Sequence, residues 1–288
     1  MSDDQELSAP VASAPTRQIC QGPVMPIGGA EDKDPGSDVL ERFIALAEGE
    51  QARIAIIPTA SEEAQEAGER YVKVFRKMGV AEAGWLRVET REDANAEPAL
   101  ELLRNATGIF ITGGDQARLV ALLAGTLVME CIRLRNAEGV VVAGTSAGAS
   151  IVSAHLMSGG TGLAGNSNDA AARKGMVELV AGFGLLQDVI VDQHFSQRGR
   201  IGRLLAAFAA NPGLLGIGLD EDTAVLIDRE GMLEVLGSNM VTVVDGRDAA
   251  SDYYEREVGE VLTVVRSSLN VLGPGRRFNL NSRQPVGF

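Results

Sequence analysis

From Val24 onward, short runs of β-branched or apolar residues alternate with stretches in which apolar positions recur every three or four residues. Short unbroken apolar runs suit strands covered on both faces, and the intervening helical period suits amphipathic helices. The alternation therefore predicts βαβ units: an α/β fold with a mostly parallel sheet and helices on both faces. The expected strands are Val24–Ile27, Ile54–Pro58, Gly108–Thr112, Val140–Ala143 and Val189–Val191. In the stretch 61–78, Tyr71, Val72, Phe75 and Met78 share one helical face, with Ser61 as the expected N-cap and Gly79 as the stop. Beyond Gly216 the pattern turns to strands and turns, with β-rich runs at Ala224–Ile227 and Met240–Val244. The last stretch, Gly273–Phe288, has Gly, Pro, Asn and Arg without periodicity and reads as an extended tail over the surface. Met1–Ala14 is acidic and lacks the basic start and apolar stretch of a secretory leader, so residues 1–22 read as a disordered tail. Residues 23–288 are expected to form one domain, and no internal repeat marks a second.

Composition narrows the function classes. The chain has 288 residues, with 26 Lys and Arg against 39 Asp and Glu, a net charge of -13. That charge argues against general binding to nucleic acid or an anionic lipid surface, which calls for basic patches. Only Cys20 and Cys131 are present, far apart and in no CxxC pair, so neither a disulfide framework nor a zinc site is expected. Cys131, beside Val128 and Ile132, reads as a buried thiol. No apolar segment approaches the roughly 20 residues of a membrane helix, and the cytoplasm is the default location.

The chemistry centres on Gly144-Thr145-Ser146-Ala147-Gly148, a G-x-S-x-G turn directly after an expected strand and before an expected helix over 149–157. A sharp turn of this kind lifts a serine hydroxyl above the sheet, small neighbours let chain and substrate approach, and the N–H of Ala147 becomes an oxyanion donor. A serine at the elbow argues against a glutamine amidotransferase, whose chemistry uses a thiolate. Serine needs a base, and the chain has two histidines. His155, nine residues on, would stand roughly 13 Å further along a shared helix and out of reach. His194 follows the apolar run Val189–Val191, at the strand edge where open α/β sheets place their ligands, and is the expected base. Arg198, Arg200 and Arg203 then crowd the start of a helical stripe. Cations there oppose the helix dipole, which suggests a compensating substrate carboxylate, with a solvated face as the alternative. Asp220-Glu221-Asp222 could supply an acid to orient His194 or receive a guanidinium, though on spacing alone a solvated acidic turn is favoured.

Together, Ile27-Gly28-Gly29-Ala30-Glu31-Asp32, Thr112-Gly113-Gly114-Asp115-Gln116, Gly144–Ala149, Asp192–Arg203 and Gly216–Ala224 resemble the cyanophycinase family, and more distantly peptidase E. The specific part is Asp192-Gln193-His194-Phe195-Ser196-Gln197-Arg198. The resemblance implies a flavodoxin-like or amidotransferase-like sheet, no cofactor or metal, and a homodimer. It also implies hydrolysis of cyanophycin, a polyaspartate bearing arginine on its side-chain carboxyls, to β-aspartyl-arginine. By position, Ser146 resembles the nucleophile, His194 the base and Glu221 the carboxylate that orients the imidazole. Gln116, Asp192, Gln193, Arg198, Arg200 and Arg203 resemble substrate-pocket positions, and Gly114 joins Ala147 as an oxyanion donor. The stretch Ser158-Gly159-Gly160-Thr161-Gly162, where peptidase E would carry its acid, has none. Two other functions stay open: a hydrolase of short aspartyl peptides, and a binding protein that keeps the pocket with a degenerate triad.

Overall fold

The computed structural model describes residues 18–159 and 171–287. The first half contains β1 (Val24–Ile27), α1 (Asp38–Leu46), β2 (Arg53–Ile57), α2 (Ala64–Lys77), β3 (Glu82–Trp85), α3 (Glu97–Asn105), β4 (Gly108–Ile111), α4 (Gln116–Leu123) and α5 (Leu127–Ala137). After these come β5 (Val141–Thr145), α6 (Ala147–Ile151), β6 (His155–Gly159), β7 (Val177–Ala181), β8 (Val189–Gln193) and α7 (Ile201–Ala210). Then follow β9 (Leu215–Leu219), β10 (Thr223–Ile227), β11 (Met232–Gly237) and β12 (Val241–Asp245).

The five strands expected from their apolar runs all form, each within a residue or two of its expected bounds. They are not gathered in one mostly parallel sheet, which is a correction. In the main sheet β1, β5, β4, β2 and β3 run parallel, whereas β10, β11 and the hairpin Arg277–Asn279 with Gln284–Val286 continue it antiparallel beyond β1. A second sheet, in the order Ser268–Leu272, β12, β9, β8, takes the expected strand Val189–Val191 away from the first; only its β8–β9 pair is parallel. Apolar runs specify burial on both faces but not the partner strand, and antiparallel neighbours bury such a run equally well.

Helices do cover both faces of the main sheet. On one face α1 and α2 set Phe43, Tyr71 and Phe75 against Phe110 of β4, with Tyr71 and Phe110 ring centres 4.8 Å apart and Phe75 and Phe110 5.2 Å apart. On the other, α3, α5 and α6 share a core with inward residues of the second sheet, among them Val191, Ile217 and Val243. Helix α7 covers the outer face of that second sheet through Leu204 and Phe208 against Ile190 and Val244.

Local expectations fare unevenly. The α2 helix forms with Gly79 at φ +86° just past its end, but it starts at Ala64, and Ser61 instead accepts the Glu63 N–H in a turn ahead of it. Of the expected N-terminal tail, residues 1–17 lie outside the described residues, while Ile19 and Cys20 are buried in the main core. The C-terminal tail is a hairpin on the sheet, with Phe278 and Leu280 buried. Alternation of Phe278 with Arg277 and Asn279 is the two-residue period of a strand, too short to stand out among the turn residues around it. Both cysteines are free and buried; burial raises each thiol's pKa, that of Cys20 to about 12.

Candidate active site

Strand β5 delivers Ser146 at the carboxyl edge of the sheet. The residue sits at φ +54°, ψ -116°, a conformation that costs a non-glycine residue about 1–3 kcal/mol and persists only where its surroundings hold it. One restraint is the Ser146 N–H bond to Ile27 O at 3.0 Å. The flanking glycines allow the turn: a Cβ on Gly144 would lie 2.1 Å from Gly148 O, and one on Gly148 would lie 2.3 Å from Ile111 O. The helix that follows is shorter than expected, ending at Ile151, and His155 opens strand β6 with its side chain exposed. His155 is thus separated from Ser146 by a change of element rather than by helix length.

His194 comes from the end of β8, where its own backbone turns to φ +47° and its N–H bonds Gly28 O at 2.9 Å. Its Nε2 lies 2.9 Å from Ser146 Oγ and its Nδ1 2.7 Å from Glu221 Oε1. With Nδ1 carrying the proton toward the carboxylate, Nε2 is free to accept from the serine. Burial lowers the imidazole pKa, the Arg198 and Arg200 charges lower it further, and the Glu221 bond works in the opposite direction. Gly29 makes room for the ring: a Cβ there would stand 2.4 Å from His194 Cε1.

The acidic turn after β9 is not a solvated turn, because each acid has its own partner. Asp220 is buried and accepts the Ser196 N–H at 2.9 Å; Glu221 meets His194; Asp222 accepts the Asp32 N–H and the Ser238 hydroxyl. Glu221 is held from behind, its N–H on Gln197 Oε1 at 3.2 Å and its carbonyl on Asn239 Nδ2 at 2.9 Å. Gln197 lies in the segment that resembles the family but has no role assigned by sequence, and Asn239 has no sequence signal; both act through fold contacts that spacing does not report.

The six positions read as a substrate pocket divide. Arg200 is buried and donates through Nη1 to Asp192 Oδ1 at 3.0 Å and to Gln193 O at 2.7 Å, while Arg203 Nε stands 3.6 Å from the other Asp192 oxygen. Arg198 is exposed. Gln116 Nε2 donates to Met157 O at 2.5 Å, tying α4 to β6, and among the described residues the buried Gln193 Oε1 has no hydrogen-bond partner. Gly113 brings its loop against the nucleophile, since a Cβ on it would stand 3.0 Å from Ser146 Cβ. Among the described residues no backbone or side-chain group accepts from the Gly114 or Ala147 N–H. No cluster of His, Cys, Asp and Glu among the described residues is arranged to hold a metal ion.

Several known proteins are similar to this chain over most of its length. Cyanophycinase of Trichormus variabilis is 41% identical over 281 residues, covering 96% of this chain and 92% of that protein. The cyanophycinase of Geminocystis herdmanii is 40% identical over 272 residues, 94% of this chain and 98% of the other; that of Synechococcus elongatus is 42% identical over 266 residues, 92% and 81%. Among solved structures, a peptidase from an acI-B1 actinobacterium superposes with a TM-score of 0.65 at 23% identity, over 92% of this chain and 98% of that one, a likeness of fold. Residues 24–235 match the profile of peptidase family S51, and this chain belongs to that family of peptidases.

Proposed function

We propose that the chain is a serine exopeptidase that hydrolyses cyanophycin to β-aspartyl-arginine dipeptides, with Ser146 as nucleophile, His194 as base and Glu221 as its orienting acid. The observation that carries this is the continuous chain of contacts from Ser146 Oγ to His194 Nε2 at 2.9 Å and from His194 Nδ1 to Glu221 Oε1 at 2.7 Å. Neutral His194 takes the serine proton as Oγ adds to an aspartyl carbonyl carbon. The N–H groups of Gly114 and Ala147 receive the oxyanion, a role supported by their having no other acceptor among the described residues. His194 then protonates the departing amine, the C–N bond breaks, and an acyl-enzyme on Ser146 remains. Water, deprotonated by the same imidazole, releases the product acid and restores the serine.

Relatives named cyanophycinase at 40–42% identity over nearly the whole chain favour the polymer over short aspartyl peptides as substrate. A complete set of triad contacts favours catalysis over a binding protein with a degenerate triad. The reading includes a flavodoxin-like arrangement of the parallel strands and a homodimer; Leu269 and Val271, exposed on the edge strand Ser268–Leu272, offer apolar surface for the latter.

Incubation of the chain with purified cyanophycin, with mass analysis of what is released, tests the proposal. Release of β-aspartyl-arginine by the native chain and none by Ser146→Ala is expected. Turnover retained by Ser146→Ala would remove the nucleophile, and cleavage confined to short aspartyl peptides would remove the polymer.

A further inference from the structure

Three consecutive carbonyls at the end of β1 hold the three segments that carry the candidate triad. Ile27 O accepts the Ser146 N–H at 3.0 Å, Gly28 O the His194 N–H at 2.9 Å, and Gly29 O the N–H of Asp222, beside Glu221, at 2.9 Å. The turn also carries strain of its own and of its partners: Ala30, Ser146, His194 and Asp222 have φ of +48°, +54°, +47° and +50°. Such conformations relax unless the structure around them over-determines them. Backbone bonds alone leave the turn free to shift together with what it holds, so its side-chain anchor matters.

That anchor is Glu31, 3% exposed. Tyr71 OH donates to its Oε1 at 2.5 Å, Thr145 Oγ1 donates to its Oε2 at 2.5 Å, and Lys33 Nζ lies 3.1 Å from Oε1. A carboxylate stripped of water is unfavourable unless charge-assisted bonds replace its hydration, and here each oxygen has one. The two hydroxyls belong to different layers. Tyr71 is on α2, in the aromatic core, whereas Thr145 is the last residue of β5 and directly precedes Ser146.

We infer that Glu31 is a positioning residue for the reaction: by gripping Thr145 it clamps the end of β5 to the β1 turn and so sets Ser146 Oγ against His194 Nε2. It touches neither substrate nor reacting atoms, and the inference rests on the nucleophile and base proposed above. Misplacement of a catalytic group by about 1 Å can cost on the order of a hundredfold in rate, so loss of the clamp is read in kcat rather than in binding.

The two hydroxyls on one carboxylate supply the test. Thr145→Val and Tyr71→Phe each remove one, with almost no change of shape. If Glu31 is only a buried charge to be satisfied, both lower the melting temperature and neither lowers kcat. If it is the clamp, Thr145→Val lowers kcat about ten- to hundredfold with KM within about twofold, and slows fluorophosphonate labelling of Ser146 to the same degree. Tyr71→Phe then lowers the melting temperature with kcat within about twofold. Glu31→Gln lowers kcat in its own right, and combining it with Thr145→Val adds little, as for two ends of one interaction. Thr145→Ser, which restores the hydroxyl, restores kcat. Wild-type kcat in Thr145→Val or in Glu31→Gln, or equal kcat losses in Thr145→Val and Tyr71→Phe, would overturn the inference. Ser146→Ala measured alongside separates the two levels: turnover in that variant overturns the nucleophile and this inference with it, whereas an inactive Ser146→Ala beside a fully active Thr145→Val overturns only the clamp.

Discussion

At the scale of single residues the proposed chemistry depends on one imidazole, that of His194, whose pKa burial lowers. A base works when neutral, and His194 titrates below the ordinary histidine value because burial disfavours its charged form. The kcat/KM of the enzyme is therefore expected to rise with pH through a point below 6.5 and to be level at neutral pH. Glu221 pulls the other way, so Glu221→Gln should move that acid limb further down, while the lost tautomer control cuts kcat by up to about 10⁴-fold. A pH–rate profile of the two proteins checks both signs; an acid limb that moves upward in the variant would contradict the role given to Glu221. His155→Ala, on an exposed strand position, should leave the profile unchanged, and His194→Ala should be as inactive as Ser146→Ala because members of one catalytic unit fail together. Ser146, the glycines of its turn and His194 were legible as candidates because serine chemistry admits so few residue types, and the fold brings Ser146 Oγ and His194 Nε2 within 2.9 Å. Gly29 lies in a segment that resembles the family, but its reason, the closeness of the His194 ring, exists only in three dimensions.

At the scale of elements, the turn from β8 into α7 sorts the arginines that sequence grouped together. Arg200 is spent on the buried Asp192, and removing one partner of a buried pair leaves the other charge uncompensated, at a cost of about 3–5 kcal/mol. Arg200→Ala should therefore lose activity and stability together, visible as a lower urea midpoint. Arg198 is exposed, so Arg198→Ala should keep its midpoint and, if it meets a substrate carboxylate, lose about ten- to a hundredfold in kcat/KM on the polymer, the worth of one charge-assisted hydrogen bond. A neutral ester should be cleaved by Arg198→Ala as before; equal losses on ester and polymer would count against substrate contact. The C-terminal hairpin makes a second prediction. Phe278 is fully buried against the main core, so Phe278→Ala should cost about 3–5 kcal/mol in equilibrium denaturation, where a surface tail would show almost nothing. The strands were legible as elements because an apolar run must be buried somewhere. The end of the α6 helix was not, since the small residues after the elbow suit helix or strand until β7 arrives to pair with β6.

For the whole molecule, two sheets meet across one core, and the carboxyl ends of β5 and β8, from different sheets, bring Ser146 and His194 together. The proposed homodimer is tested at this scale: if it forms, sedimentation of the native chain gives a dimer that Val271→Glu weakens, and a monomer at all concentrations would remove the dimer from the reading. Residues alone determined that this is an α/β protein with a Gly-x-Ser-x-Gly turn between strand and helix, two histidines and an excess of acidic over basic residues, because periodicity, strand-to-helix punctuation and residue type are local properties. Tertiary structure alone decided that the sheet is mixed, that the tail is a hairpin, that Asp220-Glu221-Asp222 sends its three acids to three different partners, and that Arg200 belongs to Asp192. The physical reason is the same in each case. Which strand lies beside an apolar run, and which charge lies beside an acid, depends on contacts between residues far apart in the chain, and such contacts leave no mark in the spacing of either partner.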